Sequence, residues 1–321
     1  MWPGRNKRPD KGPVRCLEEY IKKHDRENNL AILAGDFPNI NKWTTNSTID
    51  NEMSNDFWDN PEITDSQKTS ILKFRIDQYM GNAKKQSIFG IQKFPSKTCP
   101  ICNSQDADTW LHVLLLCQQH HIHALRTKRH NKAVWEIRKL ILSSNKSRCY
   151  TLMNAGTFNN NPQENTVPPW LLTCTCNQQR CHCNAKFKPD ILCIKGLPYQ
   201  SPPPLNPDNN LTIQFIEFTY TNNRFSPETV DRKLLKYQPL INSIIQQGWK
   251  VDPLIVITAR ARGTTHTPSM KQLEKKFKLC ESSIKHTFKA INTIAIQHAG
   301  SILLHKRRIE NNQTIPIDIG Q

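Results

Sequence analysis

Four ligand-type side chains fall within nineteen residues: Cys99-Pro-Ile-Cys102, nine residues, His112, four residues, Cys117. Two thiolates separated by two residues can grip one Zn²⁺ from a turn, and a His and a Cys five apart can complete the tetrahedron from the first turns of a following helix. Neutral imidazole and deprotonated thiols bind Zn²⁺ well near neutral pH. A second group is tighter: Cys174-Thr-Cys176, four residues, Cys181-His-Cys183. Its four thiols can close a Cys₄ site, although Cys-x-Cys pairs strain tetrahedral geometry, and a reduced thiol-rich loop is the alternative reading. His120, His121, His123 and His182 read as bystanders.

Two carboxylates stand where apolar residues would pack better. Asp190 opens the apolar run Pro189 to Lys195, and Glu217 lies inside Leu211 to Tyr220. An acid in a buried strand is costly unless a cation or base neutralises it. If the two strands pair, the carboxylates can converge as hard oxygen ligands for Mg²⁺, which relieves their mutual repulsion. Mg²⁺ there can polarise a phosphodiester and help to activate water. Lys233 and Lys236, three apart on one helical face after the second strand, are candidates to stabilise charge on the phosphate. The plainer alternatives are exposed acids at strand ends and lysines on a solvated helix face.

Several elements must position these groups. Asp190 and Glu217 sit on strands separated by a Pro-rich loop, GLPYQSPPPLNPDNN, which can neither extend a strand nor form a helix. A helix then starts at Ser226, with Pro227 at its first position and Glu228 near its positive end. Its apolar stripe is Val230, Leu234, Tyr237, Ile241, Ile244 and Ile245, and Gly248 ends it. Val251 to Thr258 reads as a further buried strand, and residues 269–310 as largely helical and basic. Between the cysteine groups, Arg126 to Arg148 carries eight Lys/Arg against one acid, with Val134, Ile137, Leu140 and Ile141 at helical spacing. One face should pack and the other should meet phosphates through Arg126, Lys128, Arg129, Lys132, Arg138 and Lys139.

The whole chain is consistent with that use. Its 321 residues carry 44 Lys/Arg against 27 acids, a net charge of +17 that suits a polyanion partner. Eleven cysteines at short spacings, with no apolar N-terminal h-region and no apolar run long enough to span a bilayer, point to a soluble, intracellular, thiol-reducing setting. Four regions are expected: an irregular N-terminal region with an acidic linker (1–67), a basic helical connector (68–95), the zinc knuckle with its basic helix (96–148), and a catalytic α/β domain (149–321). From Trp43 to Gln67 there is no Lys or Arg and there are six acids, which reads as a solvated linker without a fold.

The order of these pieces, a Cys-Cys-His-Cys knuckle, a basic helix, Lys188-Pro189-Asp190, the acid-bearing strand ending IEFTY, and Lys233-x-x-Lys236-Tyr237, resembles the C-terminal part of non-long-terminal-repeat (LINE-type) retrotransposon polyproteins. The resemblance covers roughly residues 96–260. It implies a restriction-like endonuclease of the PD-(D/E)xK type, a mixed sheet flanked by helices, with Asp190 and Glu217 on Mg²⁺ and Lys233 or Lys236 at the scissile phosphate. It implies nicking of target DNA so that the new end primes reverse transcription, in a nuclear setting, with DNA as the partner and RNA as the alternative one, no membrane, and no small-molecule substrate. Thr219, two residues after Glu217, stands where ordinary restriction enzymes carry Lys; the 27 residues from Asp190 to Glu217 exceed the family's usual gap; and no Tyr/Phe-x-Asp-Asp polymerase motif is present. The reverse transcriptase body is therefore absent from this chain. Leu33 to Asn39 (LAGDFPN) also looks like a strand end of apurinic-type phosphodiesterases, with a surface turn as the alternative. The rival expectations are a catalytically inactive, zinc-containing nucleic-acid-binding remnant and a zinc-dependent protein-interaction module.

Overall fold

The computed structural model describes residues 49–75, 78–102, 104–145, 148–153, 168–172, 189–222 and 226–311. In chain order these form β1 (Ile49–Asp50), α1 (Asn51–Asn55), a 3-10 turn (Asp56–Trp58), α2 (Asp65–Arg75), α3 (Asn82–Phe89), a π-turn (His112–Leu116) and α4 (His120–Asn145). There follow β2 (Cys149–Met153), α5 (Pro169–Leu172), β3 (Ile191–Lys195), β4 (Thr212–Thr221), α6 (Ser226–Gln246), β5 (Ile255–Arg260), β6 (Thr265–His266), α7 (Thr267–Phe277) and α8 (Glu281–Glu310).

The architecture is α/β, a mixed sheet flanked by helices. Its strand order is β2-β3-β4-β5. The first two pairings are antiparallel, and β4 pairs with β5 in parallel, with α6 as the crossover that a parallel pair requires. Alternation along each strand sorts side chains between two cores. Leu192, Ile194, Ile213 and Phe215 face α6, where Tyr237, Leu240, Ile241 and Ile244 meet them, with Trp170 stacked on Trp249 at the margin. Ile191, Cys193, Ile216, Phe218 and Ile257 face the opposite layer, built from α4, α8, α2 and the knuckle. The α6 signals read from sequence hold in part: Ser226, expected as the cap, is the first helical residue, and Leu234 and Ile245 of the expected stripe are exposed, while Gly248, at φ +91°, closes the helix with a bond from its N–H to Ile245 O.

From Ile49 to Gln67 the acid-rich stretch is not the solvated linker expected of it; residues 43–48 lie outside the described residues. Asp50 caps α1 by accepting from Met53 N–H at 2.9 Å, and Met53, Phe57 and Ile63 are buried in the core that includes α8. Charge composition pointed to solvent, but three apolar residues spaced through the stretch were enough to dock it. Arg75, from the end of α2, is buried behind it and donates to Ser54 O, Gly263 O and Arg262 O. The basic helix starts at His120, six residues earlier than Arg126, and β2, which follows it, was not anticipated. No helix among the described residues is long and apolar enough to cross a membrane.

Candidate functional site

The knuckle is built by local geometry. Thr98 bridges to Ala107, Cys99 N–H donates to Asp106 O, and Asp108 N–H donates to Lys97 O, which folds Cys99 and Cys102 onto one turn. His112 and Cys117 then reach the same point through the π-turn. A five-residue step overshoots an ordinary helical turn, and the bond from Cys117 N–H to His112 O (2.7 Å) closes that wider loop. The ligand atoms of Cys99, Cys102, His112 and Cys117 all lie within 4.8 Å of one another, the group of four expected from the spacing. His112 Nε2 sits 3.3 Å from Cys102 Sγ, while Nδ1 points away, with Asp106 Oδ2 3.4 Å from it. That distance is an electrostatic contact rather than a formed hydrogen bond, and it leaves the buried Nδ1 unsatisfied. A carboxylate behind the distal nitrogen of a ligating imidazole is the usual way to fix its tautomer. Three soft thiolates and one imidazole suit a closed, structural Zn²⁺. Cys174, Cys176, Cys181, Cys183 and Lys188 lie outside the described residues, as does the Leu33 to Asn39 segment.

The two acids meet at a place where the sheet is ragged. β3 begins at Ile191, paired with Ile216, so extending the register back by one residue sets Asp190 opposite Glu217. β4 runs on to Thr221 beside β5 alone, leaving backbone groups of Phe218 without a β3 partner. Asp190 fills that gap: its Oδ2 accepts from Phe218 N–H at 2.7 Å. Glu217 projects toward α6, where Lys233 Nζ contacts its Oε1 and the Tyr237 hydroxyl interacts with the same carboxylate. Both acids are sequestered, at 7 % and 3 % exposure, and Glu217 Oε2 is buried with no hydrogen-bond partner among the described residues. Burial first, and the Asp190 charge second, push the Glu217 carboxyl above the usual carboxylate range, against the pull of Lys233 and Tyr237. The same burial and the two acids raise the Tyr237 phenol. Lys236 does not reach Glu217; its ammonium lies 4.7 Å over the Tyr237 ring and donates to the Tyr237 hydroxyl at 3.3 Å.

His130, unassigned in the sequence, belongs to this site. It hangs from α4 on the opposite side of the sheet, with Nε2 3.3 Å from Asp190 Oδ2 and 3.2 Å from Phe218 O. Burial pushes the ring toward neutrality, but the Asp190 carboxylate, helped by Asn131 and the Phe218 carbonyl, outweighs it and makes the ring hold its proton more tightly than an ordinary histidine. A signal was present: His130 falls three and four residues before Ala133 and Val134, on the buried stripe of α4.

The basic helix divides differently from the sequence expectation. Lys128, Lys132 and Lys139 are exposed, as phosphate contacts require, and Arg126 is half-buried. Arg129 and Arg138 turn inward, at 2 % and 5 % exposure. Arg138 donates to Thr151 Oγ1 and Tyr199 Oη, tying α4 to β2 and the Pro-rich loop, so the outward phosphate role expected of it does not fit its setting. Both sit four residues from buried apolar positions, Ala133 and Val134 respectively, which is why the helix carries them into the protein. The chain matches no family model and no curated protein.

Proposed function

We propose that the chain is the metal-dependent DNA endonuclease part of a retrotransposon-derived protein, of the restriction-like PD-(D/E)xK type. The observation that carries this reading is the meeting of Asp190 and Glu217 at the ragged end of β3 and β4, with Lys233 against Glu217. Asp190 and Glu217 are the residues to hold Mg²⁺, and the buried, unpartnered Glu217 Oε2 is an oxygen that a cation would satisfy. Bound there, Mg²⁺ supplies Lewis-acid polarisation of the phosphodiester. The chain's own groups do the rest. Lys233 offers its ammonium to charge developing on the phosphate oxygens. His130 holds Asp190 from behind and steadies its carboxylate. The zinc knuckle fixes the N-terminal end of α4, whose exposed lysines position the duplex through its phosphates.

One observation favours the rival reading, a non-cutting nucleic-acid binder. Both carboxylates already have partners, Lys233 at Glu217 and His130 at Asp190, so a divalent ion must compete for them. Nicking of supercoiled plasmid with Mg²⁺ or Mn²⁺ separates the two. Asp190→Asn keeps an acceptor for Phe218 N–H and should preserve the fold and DNA binding. It should lower nicking at least about a hundredfold, because the metal contributes several kcal/mol to the transition state. Absence of nicking by the intact chain with either ion leaves the binder.

A further inference from the structure

Beside the acid pair, on the knuckle side of the sheet, lies a notch of about 270 Å³ lined by Arg126, Thr127, Arg129, His130, Thr219 and Tyr220. It is smaller than the pockets that take drug-sized ligands. No carboxylate lines it, and among the described residues none pairs with Arg126 or Arg129. Arg129 is almost wholly buried. Its Nη2 donates to Leu114 O and its guanidinium stacks 4.3 Å from the Tyr220 ring, yet among the described residues Nε and Nη1 have no hydrogen-bond partner. The Tyr220 hydroxyl is likewise buried with no partner among the described residues. Arg126 spends one donor on Cys117 O, at 2.6 Å. A buried guanidinium without an anion is among the costliest arrangements a fold can keep. Burial pulls the Arg129 guanidinium below its usual range, and an anion beside it would offset that pull.

We propose that this notch binds one phosphate of a nucleic-acid backbone, with Arg126 and Arg129 donating to its non-bridging oxygens and Tyr220 adding a neutral donor. Two forked guanidiniums suit a tetrahedral oxyanion better than lysines do. The fixed phosphate sits one residue from the acids, since His130 both lines the notch and touches Asp190. The exposed Lys128 and Lys132 of the same helix continue the positive track outward. The inference rests on the nucleic-acid reading above for the source of its phosphate, but not on cleavage.

The test is fluorescence anisotropy of labelled single- and double-stranded oligonucleotides, without Mg²⁺ and across a salt series, for the full chain, Arg126→Gln and Arg129→Gln. Each variant should bind about tenfold more weakly, the loss of a charged hydrogen bond, and its log–log salt slope should shrink by about one. Wild-type affinity and slope in both variants would overturn the proposal, as would absence of oligonucleotide binding by the unmodified chain. Inorganic phosphate, compared with chloride at matched ionic strength, should raise the melting temperature of the wild type and not of Arg129→Gln. If phosphate does so while both variants keep full oligonucleotide affinity, the notch holds a free anion and the nucleic-acid assignment is wrong. Should Arg129→Gln fail to fold, the half-buried Arg126→Gln decides alone. A chain that does not nick but loses affinity in these variants removes the nuclease reading and leaves the notch; one that nicks with both variants unimpaired does the opposite.

Discussion

At the scale of single residues, the side chains of α4 separate structural from surface charge. Arg138 is a buried strut, so Arg138→Ala should destabilise the fold by about 2 kcal/mol, the loss of charged hydrogen bonds, with the remaining DNA affinity of the folded fraction unchanged. Lys132→Ala, on the exposed face, should do the reverse: unaltered denaturation, weaker binding and a shallower salt dependence. Urea curves and salt-series anisotropy on the two variants check both statements. The proposed zinc site makes an equally local demand. The wild-type chain should carry one zinc ion on the Cys99, Cys102, His112, Cys117 group and Cys117→Ser none, read by a chromophoric chelator after denaturation, and a full zinc content in that variant would remove Cys117 from the ligand set.

At the scale of elements, the last helix is the beam on which the rest is hung. α8 packs along α4 and α2, and it closes over the knuckle through a buried polar knot. Lys306 Nζ reaches Asp108 Oδ2 at 3.1 Å and contacts Glu310, while Asp108 also accepts from Tyr79 Oη and Asn82 N–H. Gly81 belongs to the same joint, because a Cβ there would stand 2.2 Å from Asp108 O. Removing one partner of such a pair leaves a buried charge. Lys306→Met should therefore cost about 3–5 kcal/mol, and adding Asp108→Asn should restore part of it. If the double variant is less stable than the single one, the knot owes its strength to something other than that pairing.

At the scale of the whole described fold, the larger of the two cores runs from Met53 through Cys99, Leu114 and Ile216 to Leu303, so knuckle and sheet share an interior. Knuckle and sheet should then melt together in one cooperative transition, and a zinc chelator should shift that transition down rather than uncover a separate early one for the knuckle in calorimetry. Acid should act on the same unit. Burial holds His298 and His266 down to about 4, helped by Lys132, Arg129 and Lys128 around the first and Arg260 near the second. Their folded values lie below the unfolded one, so between roughly pH 6.5 and 4 the unfolded chain binds more protons. Stability should fall as pH drops through that window, by at most about 1.4 kcal/mol per unit for each ring, and should level off below it. Replacing His298 by Phe should flatten the slope measured by urea denaturation.

The knuckle ligands, α6 with its closing glycine, and the two acid-bearing strands were legible from sequence because each is set by neighbours in the chain: short spacing, helical period and apolar runs. The burial of Arg129 and Arg138 was half legible, written in the apolar stripe but masked by their charge. The docking of the acid-rich stretch, the presence of β2 and the choice of Asp190 as the partner of His130, whose inward face alone the helical stripe foretold, were decided by tertiary structure. Each depends on what lies across the core from it, on α8 for the first, on β3 for the second and on the overhang of β4 for the third. A strand end that outruns its partner leaves backbone groups to satisfy, and only the folded sheet determines which distant side chains come to satisfy them.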